Sequence, residues 1–136
     1  MNWKLILLLS SFGLLIGVAS LFGFTHGIEP LLWLLIFLLY AWWIANNCNR
    51  LHFIHAFLAS VLDGTWIAII HFIFFSTYIR HNPEVLERFK TLPPGVNLRV
   101  LTLVMGPLVG AIFGVVAGLF AYVVWRIIKR RRSLEQ

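Results

Sequence analysis

Long hydrophobic runs separated by short polar segments make up most of this chain. A helix of about 20 apolar residues crosses the ~30 Å hydrocarbon core of a bilayer. Four runs approach or exceed that length, so the pattern predicts four transmembrane helices. The second run is short for a full crossing, so flanking residues must complete it. The predicted spans are about 5–24, 31–45, 51–78 and 98–128.

The first run also has features of a secretory signal, because Lys4 precedes it and Val18-Ala19-Ser20 resembles a cleavage site. Signal sequences have an apolar region of only ~7–15 residues, however, and this run has about 20. We therefore expect the first run to be retained as a transmembrane helix.

The polar segment 79–97 predicts a short helix lying on the membrane surface. Asn82 is a favoured helix cap, Pro83 suits the first helical position, and Glu84 is spaced to pair with Arg88. A polar loop with a single helical turn is the alternative. The apolar stripe that would face the membrane is Val85, Leu86, Phe89 and Leu92.

Composition supports a membrane protein. The chain has 136 residues, of which 60% are hydrophobic and 12% are charged, whereas soluble domains are about 45–50% apolar and ~25% charged. A soluble fold of this size could not bury so much apolar surface, but a bilayer covers it. The predicted fold is therefore all-α, a polytopic transmembrane four-helix bundle in a single domain, 1–136, with a short extracytoplasmic interfacial helix.

The distribution of basic residues predicts that both termini are cytoplasmic, because basic residues that flank spans stay on that side. This orientation places seven basic residues inside and four outside, with the loop 79–97 external and a basic tail, 129–136, internal. The inside residues are Lys4, Arg50, Arg126, Lys129, Arg130, Arg131 and Arg132, and the outside residues are Arg80, Arg88, Lys90 and Arg99.

The net charge is +6, and the basic cluster from Arg126 to Arg132 contributes five positive charges. Lys129, Arg130, Arg131 and Arg132 are therefore expected to meet anionic lipid headgroups, at ~1 kcal/mol per charge, rather than nucleic acid. Acting as a topology anchor is a compatible alternative. Aromatic residues that favour the membrane interface lie near predicted span ends; they are Trp3, Tyr40, Trp42, Trp43, Tyr78, Tyr122 and Trp125.

Small residues recur every four positions in two spans, and such spacing forms a groove that lets two helix backbones approach closely. We therefore expect the third and fourth spans to pack together. A homodimer seam along the glycines is the functional alternative to packing within one chain. The residues are Gly106, Gly110, Gly114 and Gly118 in the fourth span and Ala56, Ser60, Gly64 and Ala68 in the third.

Asp63 lies near the middle of the third span. A carboxylate at that depth costs ~2.5–3.5 kcal/mol on insertion scales, so it should be protonated, paired or facing a wet cavity. It could bind a proton or cation for transport, or it could be a protonated acid that holds a neighbouring helix. No basic residue lies at a comparable depth.

Histidines give three weaker candidates. His52 and Asp63 share a helix face, because 11 residues correspond to about 20° of rotation, so a proton path from the span end to its centre is one hypothesis. His52 and His55 with Cys48 could contribute to a metal site, but a complete ligand set is missing. His71 could hold a pigment, whereas a bis-histidine haem would require a dimer, because the other three spans contain no histidine. Structural hydrogen bonding is the alternative for each histidine.

The second half of the chain, from about Leu51 to Arg132, resembles an uncharacterised bacterial family of small four-span integral membrane proteins, known only as a domain of unknown function. The resemblance lies in the long third span from His55 to Tyr78, the segment Asn82-Pro83-Glu84-Val85-Leu86, and the glycine-rich last span with its basic tail. That family has no assigned activity, so no functional residue follows from it.

Three functional classes remain open. The first, which we favour, is a non-enzymatic accessory or structural membrane component, with no cofactor predicted. The second is a small proton- or cation-coupled transporter or channel, dimeric in one version, that uses Asp63. The third is a cofactor-bearing membrane subunit that uses His71 or the His52 and His55 pair.

Overall fold

The computed structural model describes residues 1–134, with side chains described for residues 1–131. All regular secondary structure in this part of the chain is helical. The helices are α1 (Trp3–Leu21), α2 (Glu29–Asn47), α3 (His52–Ile73), α4 (Phe75–His81), α5 (Pro83–Phe89) and α6 (Leu98–Leu134). The predicted all-α class is confirmed.

Four of the helices, α1, α2, α3 and α6, are long and apolar enough to cross a membrane. Many of their large apolar side chains point outward. Leu15, Trp42 and Ile112, for example, are 60–66% exposed. A surface of this kind needs a non-aqueous environment, because exposed apolar patches of this extent are rare on soluble monomers. These features fit a membrane protein.

Helix α3 is central, since it packs against α1 on one side and against α6 on another, while α2 packs mainly against α6. The innermost residues include Ile6 and Leu9 of α1, Tyr40 and Ile44 of α2, and Ala121 of α6, all of them fully buried. The arrangement places the middle of α3 in contact with three neighbouring helices.

The third hydrophobic run divides at Phe74, between α3 and α4. Arg99, at the start of α6, binds the end of α3: its Nε donates to the Phe72 carbonyl at 2.5 Å, and Nη2 donates to the Ile73 carbonyl at 3.1 Å. Arginine therefore satisfies carbonyl groups that a helix end leaves without intrahelical partners. The fourth run has no such division, and α6 continues through Pro107.

Helix α5 lies within the segment where a short helix was predicted. Asn82 occupies the position before it, but its side chain does not cap the helix. Its Nδ2 donates instead to the carbonyls of Ser20, at 3.0 Å, and Tyr78, at 2.9 Å. Glu84 forms its ion pair with His26, at 3.4 Å, rather than with Arg88. These contacts tie the start of α5 to the end of α1.

Candidate functional site

Asp63 is fully buried near the middle of α3, with 0% of the residue exposed. Its Oδ1 accepts a hydrogen bond from the Gly13 backbone N–H of α1 at 2.9 Å. Its Oδ2 lies 2.5 Å from the hydroxyl oxygen of Tyr40 of α2. Both carboxyl oxygens are therefore engaged by neighbouring helices, and Asp63 links α3 to α1 and α2.

The absence of a side chain at Gly13 makes this contact geometrically feasible. A Cβ added there would lie 2.8 Å from both the backbone oxygen and the Oδ1 of Asp63. Separations under 3.0 Å require one of the backbones to move. Gly13 therefore lets α1 and α3 approach closely enough for the amide to reach the carboxyl group.

The number of hydrogens available around the Tyr40 hydroxyl bears on the protonation state of Asp63. The Tyr40 oxygen lies 2.8 Å from the Leu9 carbonyl oxygen and 2.5 Å from Asp63 Oδ2. A phenol has one hydrogen, and a carbonyl can only accept. Both contacts are hydrogen bonds if Tyr40 donates to Leu9 while a protonated Asp63 donates to Tyr40. The geometry therefore fits a neutral carboxylic acid.

This cluster also engages the backbone of α1. In a regular helix, the N–H of residue 13 donates to the carbonyl of residue 9. The two groups of this helical turn contact side chains of other helices, since the Gly13 N–H donates to Asp63 and the Leu9 carbonyl accepts from Tyr40. We call Leu9, Gly13, Tyr40 and Asp63 the carboxyl clamp, because two side chains hold one turn of α1 from outside.

Tyr40 differs from an amphipathic ring that faces lipid headgroups, because it is fully buried and hydrogen-bonded. The sequence signal for this role is its position five residues before the predicted end of its span at about residue 45. A buried tyrosine normally needs a partner for its hydroxyl.

Further polar contacts continue along the same side of α3. His71 Nε2 lies 2.8 Å from the Ser20 hydroxyl, and the His71 ring stacks on Tyr78 with centroids 3.8 Å apart. Trp66 Nε1 donates to the Ser10 hydroxyl at 3.3 Å. His71 is therefore buried between α1 and α4 with its Nε2 already hydrogen-bonded. This geometry fits the alternative that the histidine forms a structural hydrogen bond.

His52 and His55 lie at the start of α3. His52 Nε2 lies 2.8 Å from the Cys48 carbonyl oxygen, and its ring stacks on Trp125. His55 Nε2 accepts from the backbone N–H of Asn2 at 2.9 Å, and its Nδ1 lies 2.8 Å from the Leu51 carbonyl oxygen. Within the described residues, the hydrogen bonds found do not connect either histidine to Asp63.

Cys48 is buried and unpaired, and burial raises the pKa of its thiol. Over residues 1–134, no three His, Cys, Asp or Glu side chains are grouped closely enough to hold a metal ion. The hypothesis of a metal site at Cys48, His52 and His55 gains no support from this geometry.

The α6 side of α3 is built from close backbone contacts. A Cβ on Gly106 would overlap the Ala68 Cβ and the Gly64 carbonyl oxygen, and one on Gly110 would lie 2.6 Å from the Ser60 carbonyl oxygen. Ser60 is also fully buried. In this half of the interface, the small residues of the two helices face each other.

In the half of the α3–α6 interface that contains Gly114 and Gly118, the glycines face larger residues. The atoms nearest to a Cβ on Gly114 belong to Phe57, and those nearest to one on Gly118 belong to the Phe53 ring. Ala56 is fully buried but is not among these nearest neighbours. The glycines therefore accommodate phenylalanines here, in place of the small residue expected from spacing alone.

The basic tail extends α6. Lys129 Nζ lies 5.2 Å from the centroid of the Trp125 ring, and the Arg126 guanidinium lies 5.5 Å from that of Tyr122. Arg131 is exposed. The side chain of Arg132, also predicted to meet lipid headgroups, falls outside the part described, and so do residues 135–136.

A large cleft of about 1090 Å³ lies among α2, α3 and α6, with residues of α5 at one end. Its volume lies slightly above the ~300–1,000 Å³ typical of small-molecule sites. Its inner walls are apolar and aromatic, with Trp33 and Phe37 of α2 facing Phe113 of α6, while Phe37 also contacts Phe120. Gly64 lies against it, but Asp63 does not line it.

The other end of the cleft is polar and carries charges of both signs. Glu29, Glu84 and Arg88 line it together with Tyr78. Burial raises the pKa of the Tyr78 phenol, the two carboxylates raise it further, and the Arg88 guanidinium opposes them. The three charged groups therefore share this end of the cleft with the Tyr78 phenol. We call Glu29, Glu84 and Arg88 the charged rim.

Comparison with known proteins identifies no relative, since no family model, no curated protein and no solved structure matches this chain. The resemblance to an uncharacterised four-span family stays a prediction.

Proposed function

We propose that this chain is an integral membrane protein that crosses the bilayer four times and serves as a non-enzymatic accessory or structural component. The observation that carries the proposal is the carboxyl clamp. Asp63 is the acid expected to bind a transported ion, yet both of its oxygens are hydrogen-bonded within the bundle. A fully buried, hydrogen-bonded acid serves to hold helices together.

In this proposal the four long helices are the transmembrane spans, and both termini lie in the cytoplasm. The bias of basic residues supports that orientation. It puts α5 on the extracytoplasmic side, at the membrane surface, and leaves the tail at anionic headgroups. The glycines of α6 pack against α3 of the same chain, which supports internal packing over a homodimer seam.

The transporter hypothesis requires the carboxyl clamp to open and an access route to reach Asp63. A proton or cation at Asp63 would have to break contacts with Gly13 or Tyr40, and an access route would have to open to a group that is fully buried. A cofactor at His71 would have to replace its contact with Ser20. Both hypotheses stay open to direct tests, but neither has a specific observation in its favour.

Membrane integration is tested by extracting membranes with alkaline carbonate and by adding protease to intact cells. The proposal predicts that the protein stays in the pellet and that the basic tail is protected. Release into the aqueous phase would contradict membrane integration, and removal of the tail by external protease would contradict the orientation.

Activity is tested in proteoliposomes. We expect no flux of protons or common monovalent cations above that of empty liposomes, for both the wild type and Asp63→Asn. Flux that is present in the wild type and lost in Asp63→Asn would establish the transporter hypothesis instead. An absorption spectrum of the purified protein tests the cofactor hypothesis, because a visible band lost in His71→Ala would indicate a bound haem or pigment.

A further inference from the structure

The cleft and the charged rim together have the form of a site for an amphiphile. The cleft is apolar along α2 and α6 and polar where it meets α5. An amphiphile with one apolar chain and one polar head would place each part against matching surface. Ligand sites commonly combine apolar walls with a few convergent polar groups in this way.

The charges of the rim favour a head that is itself of mixed charge. Two carboxylates, Glu29 and Glu84, share this end with one guanidinium, Arg88, and with the His26 imidazole, which contacts Glu84. An anionic head would meet Arg88 but would also be repelled by the two carboxylates. A head with both a phosphate and an ammonium group satisfies charges of both signs.

Existing contacts leave room for such a head. Between described residues, the His26 imidazole contacts Glu84 through Oε1 at 3.4 Å, and Lys90 pairs with Glu87. Arg88 takes part in neither contact, and the His26 contact does not use Glu84 Oε2. Glu29 accepts a hydrogen bond from the Thr25 hydroxyl at 3.1 Å, but only through Oε1. Arginine is well suited to phosphate because its planar guanidinium presents several donors at once.

We infer that the cleft binds one molecule of an ethanolamine-type phospholipid, with its head at the charged rim and an acyl chain between α2 and α6. The inference rests on the proposed membrane location, because the lipid would enter sideways from the surrounding leaflet. The phosphate pairs with Arg88, and the primary ammonium donates to Glu29 and Glu84. A choline head would lack those N–H donors.

The aromatic residues explain why an acyl chain fits this cleft. Trp33, Phe37 and Phe113 line the cleft with ring centroids 5.0–5.9 Å apart. Val85 and Phe89 of α5 add apolar surface beside the charged rim. The acyl chain of the lipid would therefore contact apolar protein side chains along its length.

The test is native mass spectrometry of the full chain, first as purified in mild detergent and then after delipidation and titration with defined phospholipids. We expect a 1:1 complex with phosphatidylethanolamine and at least about tenfold weaker binding of phosphatidylglycerol and phosphatidylcholine. Water-soluble glycerophosphoethanolamine should not displace the lipid, because it has no acyl chain. Equal binding of the three lipids would overturn the inference.

Paired variants locate the site. Arg88→Gln should weaken binding of phosphatidylethanolamine by about tenfold, equivalent to ~1.4 kcal/mol, whereas Lys90→Gln, two residues away and not lining the cleft, should leave it unchanged. Glu84→Gln should reduce the ratio by which phosphatidylethanolamine binds more tightly than phosphatidylglycerol. The control Glu87→Gln should leave that ratio unchanged. If each variant behaves like its control, the lipid does not bind at the rim.

A variant that fills the cleft tests the position of the acyl chain without changing any charge of the rim. Val109→Trp fills the cleft from α6, while Ile112→Trp on the same helix points away from it and is 65% exposed at present. Val109→Trp should abolish the complex and Ile112→Trp should retain it, with circular dichroism confirming that both fold.

A wild-type protein that pellets with carbonate-extracted membranes yet binds no lipid overturns this inference alone. A protein released by carbonate overturns both proposals.

Discussion

The side of α3 that faces α1 and α2 and the side that faces α6 are held by different kinds of contact. Toward α1 and α2, the contacts are hydrogen bonds from side chains to the backbone or to other side chains. Asp63, for example, is hydrogen-bonded to the Gly13 N–H and to the Tyr40 hydroxyl. Toward α6, glycines allow backbones to meet, as Gly64 does with Gly106. In lipid, where the hydrophobic effect does not drive helices together, both polar bonds and close packing can stabilise a bundle.

The two sides should therefore respond differently to mutation. The polar side tolerates a side-chain substitution that preserves donors and acceptors, since its energy is in particular bonds, although Gly13 on this side also leaves no space for an added side chain. The glycine side tolerates no added volume, because backbone atoms occupy the space that a side chain would need. The predictions below run from the largest expected loss of stability to the smallest, measured as the free energy of unfolding in mixed micelles.

Gly106→Leu should be the most destabilising change, at ~3 kcal/mol, which is the upper part of the range for overpacking. The new side chain must displace Ala68 or the Gly64 backbone. Val104→Leu on the same helix, where the side chain is 54% exposed, is the control and should have little effect. Equal stability of the two variants would mean that α3 and α6 do not pack through these glycines.

Asp63→Ala should cost about 2–3 kcal/mol, because it leaves the buried Gly13 N–H without its carboxyl acceptor and removes the contact between Asp63 and the Tyr40 hydroxyl. Asp63→Asn should cost less than ~1 kcal/mol by the same reasoning, since its amide oxygen can accept from Gly13 and its amide N–H can donate to Tyr40. If the asparagine variant is as unstable as the alanine variant, the acid is not neutral in the folded protein.

Tyr40→Phe should cost up to ~1.7 kcal/mol, the largest value measured for single hydrogen bonds between membrane helices. It removes the hydroxyl that joins Leu9 to Asp63 but keeps the ring. Tyr122→Phe is a suitable control, since that ring is 41% exposed. A loss no greater than that of the control would show that the hydroxyl contributes nothing to the clamp.

Ser20→Ala should cost the least, ~0.6 kcal/mol, the average for such bonds. It deletes the contact with His71 between α1 and α3. Ser11→Ala is its match on the same helix, because the Ser11 hydroxyl bonds only to the Leu8 carbonyl of α1, and should be nearly neutral. Two equal losses would mean that the His71 contact adds no stability between helices.

The features that could be read from the sequence are those that depend on composition and local spacing. Four hydrophobic runs predict four long helices, and an acid within one of them is conspicuous. The four-residue spacing of Gly106 and Gly110 indicates a groove. Since spacing describes one helix only, it could not show that Gly114 and Gly118 would face Phe57 and Phe53.

The partners of Asp63 could not be read in the same way. Gly13 and Tyr40 lie 50 and 23 residues away in the chain, and their approach depends on how α1 and α2 pack around α3. The cleft has the same origin, because residues from several helices and a turn line it. Such features depend on the geometry between helices, and hydrophobic periodicity carries little information about it.

The central claim, that Asp63 is a neutral acid holding three helices, is tested most directly by infrared spectroscopy of the purified protein in lipid at neutral pH. A protonated carboxyl group has a C=O absorption distinct from that of a carboxylate. We predict such a band in the wild type, shifted in deuterated water and missing from Asp63→Asn. Identical wild-type and Asp63→Asn spectra in this region would mean that the carboxyl group is ionised, and would contradict the account.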